Sequence, residues 1–473
     1  MSSLFRNTFY TSLAQGWQML MALLLFKLAA TFLQGPGFGK YSVATTIMYF
    51  VLMFDDLGLS TLTTREIARD KNKAQRFLGV VLGLKTVLIL ISLLFVFLFT
   101  SLTHYDPETD AAIWIFTFCG LAYSFAFQGY AVFRAYERME LETAITVLEK
   151  TVSTVFGILV LALGMGIIAF SWMFALASLV ALTASMWILQ KRFLRLRPVF
   201  HMGEFRKALS SSIAFGIAMF ITFTYDRVDI LLLSTMKDMG AAGLYGAAHK
   251  LLSFTGLVPT IFATAFFPKF SIHANDPQEL SRIFTTGFKY LMMLAVPMIP
   301  AVFILSKPLM LFFSTAEFLE ASGALCIMAV TSGILFINIF LASLYGATNH
   351  QKRILVFEVV GLCMNVAGNW MLIPRYSYMG SAVATVITEG IVVVLAMTWS
   401  LKHIAKITEY SFWGKIVLAT GGMSIFLLFF RNGYLPGNVA GGAAVYFFLL
   451  FVTRAVDAQQ LKRNLAELRA RKG

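Results

Sequence analysis

The chain has 473 residues, of which 58% are hydrophobic, 15% aromatic and only 13% charged, and its net charge is +14. A soluble globular chain carries about 25% charged residues, so this composition excludes a soluble enzyme or binding module as the body of the protein. Cys119, Cys326 and Cys363 all lie in apolar stretches without metal-ligand spacing, which excludes a disulfide framework or a zinc module.

Apolar stretches able to cross a hydrocarbon core of about 30 Å recur from Thr8 to Thr453. In chain order they predict helices over 8–33, 40–64, 77–101, 111–133, 143–163, 167–189, 208–236, 240–268, 288–305, 320–346, 354–373, 379–400, 416–430 and 437–453. The expected fold class is an all-α polytopic membrane protein of about fourteen transmembrane helices. The first stretch has only Arg6 before it, carries Lys27 and shows no small-residue cleavage site. It reads as a retained helix rather than a cleaved signal.

With the N-terminus in the cytoplasm, the inside connections hold twenty-eight of the 38 Lys and Arg residues and the outside connections five. The positive-inside rule therefore places both termini in the cytoplasm. The same count accounts for the basic charge loop by loop, so nucleic acid is not an expected partner. The outside connections near 102–110 and 306–319 are on the order of ten residues and cannot fold alone. The inside segments 190–207 and 269–289 contain no nucleotide loop and no paired nucleophile and base. No enzyme activity and no cofactor or metal are expected. The basic tail 454–473 could set Leu461, Leu465 and Leu468 on one face against anionic lipid, or be simply solvated.

The sequence repeats itself after about two hundred residues. Phe5-Arg6-Asn7-Thr8 resembles Phe205-Arg206-Lys207-Ala208, and Gly39-Lys40-Tyr41-Ser42-Val43-Ala44 resembles Gly243-Leu244-Tyr245-Gly246-Ala247-Ala248. Both pairs open a bundle in the same orientation. The expected organisation is an N-terminal six-helix bundle over 1–200 with a basic linker at its end, a second over 201–403, and two further helices over 404–453 before the tail.

A charge near the bilayer centre costs about 2.5 to 3.5 kcal/mol on insertion scales, so charged residues within the spans mark an interior. Lys27, Asp226, Arg227, Asp229, Lys250 and Glu389 lie deepest. Lys27, Arg227 and Lys250 are expected to reach a cavity between the bundles, where cations can hold a diphosphate; Asp226 and Asp229 can instead neutralise them. Asp55 and Asp56 are expected towards the cytoplasmic end of the second helix, and Glu149 and Lys150 towards that of the fifth, where the side chains can snorkel to the interface or form a gate or an end-of-helix ion pair. Pro259, Pro297 and Pro300 are expected bending points.

Four segments carry a resemblance: Asp56-Leu57-Gly58-Leu59 with Arg65 after it; Asp226-Arg227-Val228-Asp229-Ile230-Leu231; Gly243 to Lys250, continuing to Phe267-Pro268; and Asn365 to Asn369 with Leu372-Ile373-Pro374 and Gly380-Ser381-Ala382-Val383. In order and spacing they resemble the Wzx-type lipid-linked oligosaccharide flippases of polysaccharide biosynthesis, within the multidrug, oligosaccharidyl-lipid and polysaccharide exporter superfamily. The resemblance implies an inner-membrane, multi-pass antiporter that carries an undecaprenyl-diphosphate-linked oligosaccharide, an O-antigen, exopolysaccharide or capsule repeat unit, to the periplasmic leaflet without ATP hydrolysis. Membrane lipids, a glycan polymerase and chain-length proteins are the partners it suggests.

Arg227, Asp229, Tyr245 and Lys250 fall on family motif positions, whereas Lys27 rests on depth alone. The expected substrate-binding residues are Lys27, Arg227, Lys250 and Tyr245, with Asp226, Asp229, Glu389, Asp55 and Asp56 coupling to an ion or balancing charge. The rival readings are a cation-coupled multidrug or metabolite exporter of the same superfamily, a peptidoglycan-precursor flippase, a glycan polymerase or ligase, and a scaffold.

Overall fold

A computed structural model describes residues 3–455, so the basic tail, with Leu461, Leu465 and Leu468, falls outside the described residues apart from its first two positions. The described residues form α1 (Ser3–Asp56), α2 (Leu59–Arg69), α3 (Ala74–Thr103), α4 (Pro107–Ala135), α5 (Met139–Ala162), α6 (Gly166–Arg192) and α7 (Met202–Met236). They continue as α8 (Met239–Ser253), α9 (Leu257–Ile272), α10 (Pro277–Phe313), α11 (Ala321–Ala347), α12 (Gln351–His403), α13 (Phe412–Phe430) and α14 (Leu435–Val452).

Twelve helical segments among the described residues are long and apolar enough to cross a membrane. Two of them are too long for one crossing: at about 1.5 Å per residue, the 54 residues of α1 and 53 of α12 far exceed a core of about 30 Å. Each is broken internally, α1 at Gln34 (φ 58°) and α12 at Ser377 (φ 52°), with Pro36 and Pro374 close by. Proline removes a helical donor and restricts the residues before it, so Pro36 weakens α1 where it breaks, whereas the break at Ser377 falls three residues after Pro374. Dividing the two helices there turns the twelve segments into fourteen crossings, the number expected from the apolar runs. The protein is therefore an all-helical, multi-pass membrane protein.

The prolines divide into two kinds. Pro259 follows a tight turn at Phe254–Gly256 that separates α8 from α9, while α10 runs unbroken through Pro297, Pro300 and Pro308. Pro259 therefore stands beside a local change of helix type, whereas at Pro297 and Pro300 the helix is uninterrupted.

The chain divides into two compact units, one of residues 1–247 with Asn369–Tyr378 and the other of Ala248–Gly368 with residues from Met379 onward. In the first unit, α4 packs closely on α1 and α6, and α1 on α5. The inner part of α3 contributes Val80, Val81, Leu84 and Leu88 to a core with Leu59, Leu62, Phe205 and Ala208. Farther along, α3 turns Leu90, Ile91, Leu94, Phe97 and Leu98 outward. Such an apolar exterior suits lipid as its solvent.

In the second unit α10 is central, packing on α9, α11 and α13, with α14 against α13. The Tyr446 hydroxyl donates to the Met293 carbonyl at 2.6 Å, tying α14 to α10, and that of Tyr345 donates to the Ala396 carbonyl at 2.7 Å, tying α11 to α12.

The two glycine motifs that resemble each other meet face to face within the first unit. A Cβ on Gly39 would lie 1.8 Å from the Met239 carbonyl oxygen, and one on Gly243 would lie 2.1 Å from that of Gly35. Backbone occupies the space any side chain would need, so Gly39→Ala or Gly243→Ala should destabilise the folded chain by about 1–3 kcal/mol or more. Detergent-solubilised thermal unfolding checks this, with Gly16→Ala, which meets no atom within 4 Å, as the neutral control.

Candidate functional site

Three polar groups lie inside the first unit, each assembled from helices distant in sequence. The first centres on Asp229 of α7, which is 1% exposed. The Tyr245 hydroxyl of α8 donates to its Oδ2, and the Asn369 side-chain amide donates to its Oδ1 at 2.8 Å. Tyr245 and Asn369 are each 0% exposed. A buried carboxylate must be hydrogen-bonded to persist in an apolar surrounding, and both of its oxygens are served here. Tyr245 is enclosed and directed at Asp229, so it acts as a positioning residue for that carboxylate.

The second group is one turn earlier on α7 and is open. The Arg227 guanidinium meets Asp226 at 2.8 Å and lies 6.0 Å from the centroid of the Tyr49 ring, which itself packs on Phe223. The Asp226 side chain is 51% exposed and that of Arg227 20%. Arg227 thus holds a planar donor fork near an aromatic face with one edge engaged by the half-exposed Asp226, and the fork is of the kind that binds phosphate or carboxylate. Lys27 is exposed on the first limb of α1.

The third group joins Asp55 and Asp56 at the end of α1 to Lys85 of α3 and Ser124 and Gln128 of α4. Lys85 Nζ lies 3.5 Å from Asp55 Oδ2 and 3.2 Å from Asp56 Oδ1, and it donates to the Asp55 carbonyl at 3.1 Å and to Ser124. Ser124 donates to Asp55, and Gln128 donates to Asp56 at 3.2 Å and to Ser60 at 3.0 Å. Asp55 and Lys85 are fully buried and Asp56 is nearly so. The two carboxylates therefore do not snorkel to an interface as their position near the helix end suggested. The chain turns at Leu57 and Gly58, both at positive φ, and α2 continues beyond them, where Ser60 donates to Asp56. A Cβ on Gly58 would lie 2.7 Å from the Ser212 carbonyl oxygen.

Glu149 is likewise buried, accepting from Tyr123 at 2.5 Å and from Lys150 at 3.2 Å.

In the second unit, Lys250 lies 5.9 Å from the Phe254 ring centroid, and Glu389 accepts from the Asn338 amide at 2.5 Å. Asn365, fully buried, donates to Thr385 at 3.4 Å.

Sequence position alone does not single out Lys85, Ser124 or Gln128, and it offers Asn369 only as the end of a motif segment. For Lys85 a signal exists, one lysine between Leu84 and Thr86 in an apolar run. The other three are neutral side chains whose roles depend on which helix faces them.

The comparisons with known proteins agree with this architecture. Residues 4–273 match the family described as “Polysaccharide biosynthesis protein”. The “Probable flippase AglR” of Haloferax volcanii is 22% identical over 256 residues, covering 52% of this chain. The chain spans 54% of that relative's length. Among solved structures, “Lipid II flippase MurJ, inward closed conformation” superimposes with a TM-score of 0.79 at 16% identity, covering 93% of this chain and 98% of the other. An inward-facing MATE-family multidrug resistance transporter of the MOP superfamily gives 0.68 at 15% identity, covering 81% of this chain and 94% of the other. At these identities the two structures establish the shared fold. With more than half its length matched by the family, the chain belongs to the polysaccharide biosynthesis protein family.

Proposed function

We propose that this chain is a flippase that moves an undecaprenyl-diphosphate-linked oligosaccharide from the cytoplasmic to the periplasmic leaflet of the inner membrane by alternating access, driven by an ion gradient. The observation that carries the reading is Arg227, a partly exposed cation far inside a 35-residue apolar helix of a chain matched to polysaccharide biosynthesis. A cation kept at such depth against its insertion cost suits an anionic cargo, and the match to the polysaccharide biosynthesis family supports a glycan-linked one.

In this reading both termini face the cytoplasm, in accord with the distribution of Lys and Arg. Arg227, Lys27 and Lys250 are the cations the diphosphate meets during passage, while the prenyl chain stays in lipid. Tyr245 acts through Asp229. Asp226, Asp229, Glu389, Asp55 and Asp56 bind the driving ion or balance the cations. A glycan polymerase and chain-length proteins would receive the product.

The second reading, a cation-coupled multidrug exporter, draws on the MATE-like fold. It favours an acidic site for an organic cation, whereas the guanidinium of Arg227 suits an anion. Transbilayer movement of a lipid-linked oligosaccharide in vesicles containing this chain alone separates the two.

A further inference from the structure

The buried group at Asp55, Asp56 and Lys85 contains two carboxylates and one ammonium, a formal charge of −1 inside a membrane-spanning bundle. One more observation points to a ligand: Asp55 Oδ1 is buried without a hydrogen-bond partner among the described residues, although Oδ2 of the same side chain is bonded to Ser124 and lies beside Lys85. An uncompensated buried charge costs several kcal/mol, and proteins neutralise such groups by taking up a proton.

Among the described residues the neighbouring helices supply no second cation in contact with Asp55. On α4, Ser124 and Gln128 are neutral, and only Arg134, near the helix end and paired with Glu142, acts on Asp56 from a distance. On α2, Ser60 and Thr63 are neutral, while Arg65 and Arg69 pair with Glu66. The α7 segment against Gly58 contributes Ser212, Phe215 and Gly216. On α5, Lys150 pairs with Glu149.

We infer that Asp55, Asp56 and Lys85 form a proton-binding site that holds one proton on Asp55 Oδ1. Uptake converts the Asp55 carboxylate to the neutral acid and brings the group to zero net charge; release returns the proton to water. Ser60 of α2 and Gln128 of α4 both donate to Asp56, and Thr63 in turn donates to Gln128, so Asp56 is the better hydrogen-bonded acid and keeps its charge while Asp55 takes the proton. The site stands whether or not the cargo is a lipid-linked saccharide.

The test is infrared difference spectroscopy of the purified full chain in nanodiscs as pH is varied, reading the carbonyl stretch of a protonated carboxyl. A carboxyl band should be present at neutral pH and disappear in Asp55→Asn. It should disappear in Asp56→Asn as well, because removing either acid leaves a one-to-one pair with Lys85. Lys85→Met should increase its intensity about twofold, since both acids then bind protons. Ser124→Ala changes no charge and should shift the band by removing the hydroxyl from Asp55, while Asp238→Asn, outside the group, should leave it in place. Absence of the band from the unmodified protein, its survival in either aspartate variant, or an unchanged band in Ser124→Ala would overturn the assignment.

Discussion

Lys85→Ala should lower the stability of the folded chain by about 3–5 kcal/mol, the cost of removing one partner from a buried ion group. Lys85 is fully enclosed, and its ammonium lies within 3.5 Å of both Asp55 and Asp56. Without it two carboxyl groups share an apolar space, and both must be protonated or rehydrated for the helices to pack. Adding Asp55→Asn to the Lys85→Ala chain should recover part of the loss, because one uncompensated acid is removed and an amide can still accept from Ser124. Chemical unfolding in mild detergent measures both values. Equal stability of Lys85→Ala and the unmodified chain would show that the ammonium does not hold the helices together.

Arg227→Gln should reduce transport by about tenfold to a hundredfold, as expected for loss of one charge-assisted hydrogen bond of about 1.5–3 kcal/mol to a phosphate. Stability should change little, since the guanidinium is partly exposed and its partner Asp226 is half exposed. Lys250→Gln should show a loss of the same order, and the double variant should abolish movement. Arg227→Lys should restore only part of the rate, because an ammonium keeps the charge but loses the planar donor pair and its packing on Tyr49. Unaltered transport by the double variant at normal expression would remove these cations from diphosphate recognition.

The contrast between the two groups shows what was legible in the sequence. The crossings were readable because lipid demands about twenty apolar residues per span, and the gaps between the runs ending at 33 and 373 and the next ones contain Gln34 and Ser377, where α1 and α12 break. That Asp229 faces an interior rather than lipid was readable because charge at that depth is costly. Pairing was not readable. Whether Asp55 reaches an interface or a lysine depends on α2 continuing beyond the turn at Leu57 and Gly58, and on α3 presenting Lys85 to that turn. Likewise, Asn369 bonds Asp229 across 140 positions of sequence, and no local pattern connects a neutral amide to a carboxylate so far away. Periodicity reports which residues share a helix; it does not report which helices are neighbours.

The central claim is tested most directly by reconstituting the purified chain in liposomes with a fluorescent undecaprenyl-diphosphate oligosaccharide and following its accessibility to a quencher on one side, with and without a proton gradient. The account predicts movement faster than in protein-free vesicles, accelerated by the gradient and lost in the Arg227→Gln, Lys250→Gln double variant. No movement of several lipid-linked glycans, together with export of small organic cations from the same vesicles, would contradict it and assign the chain to the multidrug branch of the fold.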